Sequence, residues 1–355
     1  MAVRLSLVQL GKGSVGAALI DQVREQRPAL QKRLGVELAY AGIAGRRSGA
    51  FDPGGLDLAR WEVLVESGGV DGRKLLKQAL GRLSGQAILV DATAEEGMAA
   101  LYHEALSAGL HVVSCNKKPL AGPLEDYRRV KEAARRKRRF WLYEASVGAG
   151  LPVIGTLRDS LDSGDRLESI EGCFSGTLNF LCAGLDSGGK FSEVLARARE
   201  LGYTEPDPRD DLGGMDVARK ALILAREAGL DIEPEDVRLE PFCPIDRRGD
   251  VGTSMAKMSK LDGGMGRKWK SAVAGGRRLR YVARVDGQCA ASLREVPADG
   301  ALGRLSGPAN IFVFRTRRYS ETPLVVSGPG AGTAVTAAGV FADIVRVARA
   351  IVGTA

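Results

Sequence analysis

The feature that most constrains this chain stands at its start. Gly11-Lys12-Gly13-Ser14-Val15-Gly16 directly follows an alternating, β-branched run, 3–10, and opens a helix-forming one, 15–27. In that setting the first glycine permits a tight turn and the second lets backbone come close to a pyrophosphate. The third lets helix and strand pack without a gap. The helix start adds N–H groups without helical acceptors and the positive end of the dipole, both suited to phosphate oxygens. The pattern predicts a dinucleotide-binding βαβ unit with Gly11, Gly13, Ser14, Val15 and Gly16 on the cofactor. A plain glycine-rich turn is the alternative that the motif alone leaves open.

The rest of the first half agrees with that reading. Apolar runs at 36–44, 87–91 and 111–114 read as strands, separated by a helical stretch at 98–108 and less regular segments at 62–65 and 74–83. Strands and helices alternating at this spacing imply a parallel sheet. The character changes near residue 145. A last short strand at 140–143 precedes a helix opening in SVGAGLPVIGTL, and mixed strands and helices follow to about 319. The final stretch is again strand, glycine turn and long helix. The expected fold class is α/β: a Rossmann-type parallel sheet with an inserted α+β catalytic and dimerisation domain. The expected division is 1–145 for the nucleotide, 146–322 for substrate and dimerisation, and 323–355 returning to the nucleotide domain.

Composition excludes several classes. A net charge of +8 invites a nucleic-acid partner, but the excess is local, as in 135–139 and 277–280, and no base-stacking module is visible. Five cysteines at irregular spacing and only two histidines make neither a disulfide framework nor a zinc site. The N-terminal apolar run passes straight into the glycine motif, unlike a signal peptide, and no run approaches the roughly 18 apolar residues of a membrane span. The expectation is a cytoplasmic protein with no nucleic-acid and no membrane partner.

The second strand bears on cofactor choice. An acid there usually holds a ribose 2′-hydroxyl, whereas arginine suits a 2′-phosphate. This strand ends in Ala44-Gly45-Arg46-Arg47-Ser48. Arg46 and Arg47 therefore favour NADP, with NAD possible, because a guanidinium matches phosphate in bidentate fashion. Thr93 and Ser114, near the carboxyl ends of their strands, join the expected cofactor set.

Hydride transfer to an aldehyde requires a positioned acid and a hold on the developing alkoxide. His103 and His111 read as structural. Lysine is the better candidate: Asp216 and Lys220 stand at i, i+4 on one helix face, although such pairs are usually surface salt bridges. An acid-rich loop with two prolines, 202–211, leads into that helix and suits the ammonium group of a substrate.

GYTEPDPRDDLGGMDVARKALIL at 202–224 resembles the signature of the homoserine dehydrogenase family. The resemblance extends, in the family's order, through GKGSVG, NKKPLAG at 116–122, YEASVGAGLPVI at 143–154, FSGTLNF at 174–180 and SGPGAGTAVTAAGVFAD at 327–343. It implies interconversion of aspartate semialdehyde and homoserine, in threonine and methionine biosynthesis, by a homodimer. It implies Lys220 as the catalytic lysine on the substrate oxygen, Asp216 as its partner, and Lys117 as a second lysine near nicotinamide and the reacting carbon. Glu205 and Asp211 would hold the substrate amino group, with Tyr203 and Thr177 lining the pocket. Gly330 and Gly332 would form a turn that closes on the cofactor. A monovalent cation, Na⁺ or K⁺, would be bound through Glu144 and the backbone oxygens of Val147, Ala149 and Leu151; by itself this stretch reads only as a glycine-rich turn.

Larger relatives add a C-terminal regulatory domain; none is expected here, and neither is threonine inhibition through one. Residues 262–280 match no motif. The nearest enzymatic rival, aspartate-semialdehyde dehydrogenase, needs a thiolate, and Cys115 is the cysteine near the cofactor motifs. A cofactor-sensing protein without turnover is the non-enzymatic alternative.

Overall fold

Val3–Leu10 (β1) forms the first strand, its last six residues buried on both faces, as a central parallel strand requires. Around it a computed structural model, which describes residues 2–83 and 85–353, places Val36–Ala44 (β2), Gly49–Phe51 (β3), Gln86–Asp91 (β4), His111–Ser114 (β5) and Trp141–Leu142 (β6). The order is β3-β2-β1-β4-β5-β6, parallel throughout except for the short β3, which runs back along β2. The irregular segments between β3 and β4 contain two short helices, Trp61–Ser67 and Gly72–Arg82.

The first helix runs Ser14–Leu34, through Pro28 and beyond the expected end at 27. Its apolar face continues past the proline: Val23 and Leu30 both lie in the core, and that burial outweighs the lost backbone hydrogen bond. Gly35, in the left-handed conformation, ends it. The basic run 135–139 closes the helix Leu124–Lys137, whose first turn carries Glu125 and Asp126, so charge and helix dipole agree at both ends.

Sheet two comprises Leu167–Cys173 (β7), Arg238–Leu239 (β8), Arg277–Val285 (β9), Cys289–Pro297 (β10), Asn310–Thr316 (β11) and Leu324–Gly328 (β12), in the order β12-β11-β7-β9-β10-β8. Its pairs are antiparallel apart from β10 with β8. The two sheets belong to separate compact units, Met1–Gly150 with Ala331–Ala355, and Leu151–Gly330. The strand expected to rejoin the nucleotide domain at 323 does not: β12 pairs antiparallel with β11 in sheet two, and only the chain from 331 belongs to unit one. The reason is visible in the strand, whose residues alternate half-buried and exposed as an edge strand's do; a strand inside the parallel sheet would be buried on both faces. The helix Thr333–Gly353 supplies Val340, Ile344 and Val347 to the core of unit one.

The stretch 262–280 is a helix, Asp262–Ala274, followed by the start of β9. Trp269 anchors it against Phe242, and Asp262 accepts hydrogen bonds from the Ser192 N–H and hydroxyl at 2.8 and 2.7 Å.

Candidate functional site

In unit one the glycine loop has the geometry its motif requires. Gly11 has φ +96°, and a Cβ there would lie 2.5 Å from the Ala92 carbonyl oxygen. A Cβ on Gly16 would lie 2.2 Å from Gly11 O, whereas one on Gly13 would meet nothing within 4 Å. Gly13 is also the N-cap of the helix, and no side chain caps it. The residues thus fit a dinucleotide: the open side of the loop is a cradle of main-chain N–H groups from Ser14, Val15 and Gly16 at a helix start. Gln9, not singled out from sequence, fixes this loop. Its amide donates to Gly11 O and Gly16 O at 2.9 and 3.1 Å, and its Oε1 accepts from the Tyr40 hydroxyl at 2.7 Å. A polar residue in an otherwise apolar strand was the available signal.

Arg46 and Arg47 are exposed at the end of β2. Arg46 pairs with Glu95, from the loop after β4, with Nε 3.2 Å from Oε1. The carboxyl end of β2 itself carries no acid, yet a carboxylate reaches it from the loop after β4.

Behind the loop lies a polar network organised by Asp91, which is fully buried. Its carboxylate accepts from the Thr93 N–H at 2.8 Å, the Tyr102 hydroxyl at 2.5 Å and the Asn116 amide at 3.1 Å. Ser114 Oγ accepts from the Asn116 N–H at 2.9 Å and sits 2.7 Å from the Tyr102 oxygen. Asn116 in turn donates to Glu95 O and accepts from the Lys118 N–H. Thr93 and Ser114 are therefore parts of one lattice, and Lys117, half-buried, follows Asn116 as the N-cap of the short helix Lys118–Ala121. Cys115 is adjacent, but burial pushes its thiol up to about 12, away from the thiolate that a covalent mechanism needs. His111, 2% exposed, accepts the Phe140 N–H at Nδ1, and burial lowers it to about 4, so it is a neutral structural imidazole.

In unit two Lys220 is buried on the helix Met215–Glu227 with a side chain 9% exposed, unlike an ordinary surface pair. Its Nζ lies 2.8 Å from Asp216 Oδ2 and donates to Phe174 O at 2.7 Å. Phe174 itself follows β7 and stacks on Phe312. The acidic loop is held by the residues expected to bind substrate: Thr177 Oγ lies 2.5 Å from Tyr203 O and 3.0 Å from Asp211 Oδ1, and Asp211 Oδ2 accepts the Glu205 N–H at 2.8 Å. Burial raises the Asp211 carboxyl above its usual range. Glu205 and Tyr203 are exposed, Tyr203 with its ring against Phe180. Gly330 packs on Asn310, a residue without a sequence signal. Gly332 has φ +123° and its carbonyl starts the final helix by accepting from the Thr336 N–H.

The stretch 143–151 joins the end of β6 to the final helix. The Glu144 carboxylate, 3% exposed, is held by Arg346 at 2.9 Å, and the Glu144 N–H donates to Asp343 at 2.8 Å. Arg346 is shared with Asp343, whose carboxylate it meets at 2.6 Å. Val147 and Ala149 are buried, with Ala149 at φ +53°; Leu151 O accepts from the Val153 N–H. Among the described residues no group of three or more His, Cys, Asp or Glu could hold a metal, and no helix is long and apolar enough to cross a membrane.

Comparison with known proteins agrees with both units. Residues 11–144 match the family model described as homoserine dehydrogenase, NAD binding domain, and residues 152–345 the model described as homoserine dehydrogenase. The bifunctional aspartokinase/homoserine dehydrogenase 1 of Arabidopsis thaliana is 40% identical over 96% of this chain and 38% of its own length. A homoserine dehydrogenase of Emericella nidulans is 37% identical over 98% of this chain and 99% of its own. A hyperthermophilic archaeal homoserine dehydrogenase solved in complex with NADPH superposes with a TM-score of 0.73 at 26% identity, covering 98% of each chain. The chain spans about two-fifths of the length of the first bifunctional relatives it matches. With a family model covering more than half of its length, the chain belongs to the homoserine dehydrogenase family.

Proposed function

We propose that this chain interconverts L-aspartate 4-semialdehyde and L-homoserine by hydride transfer with a nicotinamide nucleotide. The observation that carries the reading is the buried Lys220, set 2.8 Å from Asp216 and 2.7 Å from Phe174 O. A bound nicotinamide would supply or accept the hydride at the aldehyde carbon. Lys220 would donate a hydrogen bond to the substrate oxygen and transfer a proton as that oxygen becomes an alkoxide. Lys117 would act near the reacting carbon, and Glu205, Asp211, Tyr203 and Thr177 would hold the amino acid end, with Asp211 also bracing the loop. NADP is favoured by Arg46 and Arg47, and Gly330 and Gly332 would face the cofactor. A monovalent cation would be held through Glu144 and the backbone oxygens of Val147, Ala149 and Leu151. The dimer is proposed too, supported by an exposed edge strand, β12, with Val325 43% exposed.

The test is loss of absorbance at the reduced-nicotinamide band with aspartate semialdehyde, run with NADPH and NADH in parallel. Turnover faster with NADPH is expected; nucleotide binding without turnover would overturn the assignment in favour of a sensor.

A further inference from the structure

The Phe174 carbonyl oxygen receives two donors. Lys220 Nζ is 2.7 Å away, and Asn310 Nδ2 is 3.1 Å away. Asn310 opens β11 and is 1% exposed, yet its Oδ1 finds no hydrogen-bond partner among the described residues. A buried amide half satisfied is costly, and such groups call for an explanation. Turning the amide over would not help, because Oδ1 would then face the Phe174 carbonyl oxygen.

The same amide fills the space beside Gly330. A Cβ there would fall 1.9 Å from Asn310 Nδ2 and 2.1 Å from Cγ. Close approach, rather than backbone conformation, is what demands glycine at 330. The chain Gly330–Asn310–Phe174 O–Lys220 is therefore continuous contact, from the glycine turn to the lysine, inside one unit.

We propose that Asn310 is a positioning residue for Lys220. It fixes the carbonyl on which the ammonium rests, and it is itself fixed by the backbone of Gly330, so the turn and the lysine are set together. This rests on the proposed function, in which Lys220 acts on the substrate oxygen and the turn faces the cofactor. It adds a residue and a coupling that the family signature does not contain.

A kinetic cycle tests it: wild type, Asn310→Ala, Gly330→Ala and the double variant, with aspartate semialdehyde at saturating NADPH. Asn310→Ala should lower kcat about tenfold while changing KM for the aldehyde much less, since a misplaced reacting group affects the transition state most. Gly330→Ala should lower kcat alone, by pushing on the amide, but add less than about twofold to Asn310→Ala, where the colliding side chain is gone. Asn310→Asp keeps the size of the side chain but replaces the donor to the Phe174 carbonyl oxygen with an acceptor, so kcat should fall about as far as in Asn310→Ala while KM for the aldehyde changes much less. Fully multiplicative effects of the two alanines, or a wild-type kcat in Asn310→Asp, would overturn the proposal. Should the alanine variants fail to fold, the kcat and KM of Asn310→Asp alone decide. An inactive wild type would instead overturn the functional reading.

Discussion

Tyr102 donates its hydroxyl hydrogen to Asp91 at 2.5 Å with both side chains buried, and with the 2.7 Å contact to Ser114 Oγ that bond joins the helix Met98–Ser107 to the ends of β4 and β5. Burial and the adjacent carboxylate raise the phenol, so it stays a donor across the accessible pH range. Tyr102→Phe would keep the ring and remove one of three donors to a buried carboxylate. A loss of about 1–3 kcal/mol is expected, the cost of leaving a buried acceptor short. KM for the nucleotide should rise with it, because Thr93 and Ser114 belong to the same lattice. Urea unfolding and nucleotide titration check the two effects.

Two glycines of the loop should separate binding from folding. A methyl group at Gly13 meets nothing within 4 Å, so Gly13→Ala should fold with an unchanged Tm. It would occupy the cradle, and nucleotide affinity should fall about tenfold or more, or about 1.4 kcal/mol. Gly16→Ala would press on Gly11 O and Gln9 and should lower Tm as well. Equal Tm losses in both variants would refute the distinction; differential scanning calorimetry beside fluorescence titration measures it.

What was legible in the sequence follows the range of each interaction. The glycine loop and its flanking strand and helix are local, so period and spacing sufficed for them. The Asp216–Lys220 pair was equally visible as a spacing, but its burial was not, because it depends on Phe174, 46 residues earlier in the chain. Gln9, Asp91 and Asn310 gained their importance from partners distant in sequence or not yet paired, and no periodic pattern marks such residues. The strand at 324–328 was placed in the wrong sheet for a related reason: a strand, a glycine turn and a helix look alike in either unit, and only the antiparallel partner β11 decides.

Cys115 bears on the rival chemistry. With burial lifting its thiol to about 12, only about one part in ten thousand is thiolate at pH 8. Cys115→Ala should retain most turnover, and alkylation of Cys115 should keep accelerating between pH 7 and 10 without levelling. Abolished activity in the alanine variant would favour an acyl-thiol mechanism. Mass spectrometry of peptides labelled across that pH range supplies the rate.

His111 should make acid stability measurable. Its folded value of about 4 lies below the ordinary 6.5, so between those values the unfolded chain binds a proton that the folded chain does not. Stability from this group is present above about pH 6.5 and is lost as pH falls through about 4, by up to about 3 kcal/mol at 1.36 kcal/mol per unit. His111→Gln retains an acceptor for the Phe140 N–H and does not titrate. The wild type should therefore lose stability relative to that variant between pH 7 and 4, as read by urea unfolding at each pH. Parallel curves would show that the imidazole charges without penalty.

Lys220 gives the most direct test of the chemistry. Lys220→Ala removes the ammonium held by Asp216 and Phe174 O, and kcat should fall by about 10²–10⁴, the usual range for one positioned proton donor. Nucleotide affinity should be unchanged, since the glycine loop and its supports lie in the other unit. Lys220→Arg keeps the charge but places a larger fork, locked in its protonated form, in a buried position, so it should recover little activity. If proton donation is the lost function, the alanine variant should respond to small primary amines added to the assay, with a rate rising in proportion to amine concentration. A variant that turned over normally would remove Lys220 from the mechanism, and one that lost nucleotide binding would make its role structural.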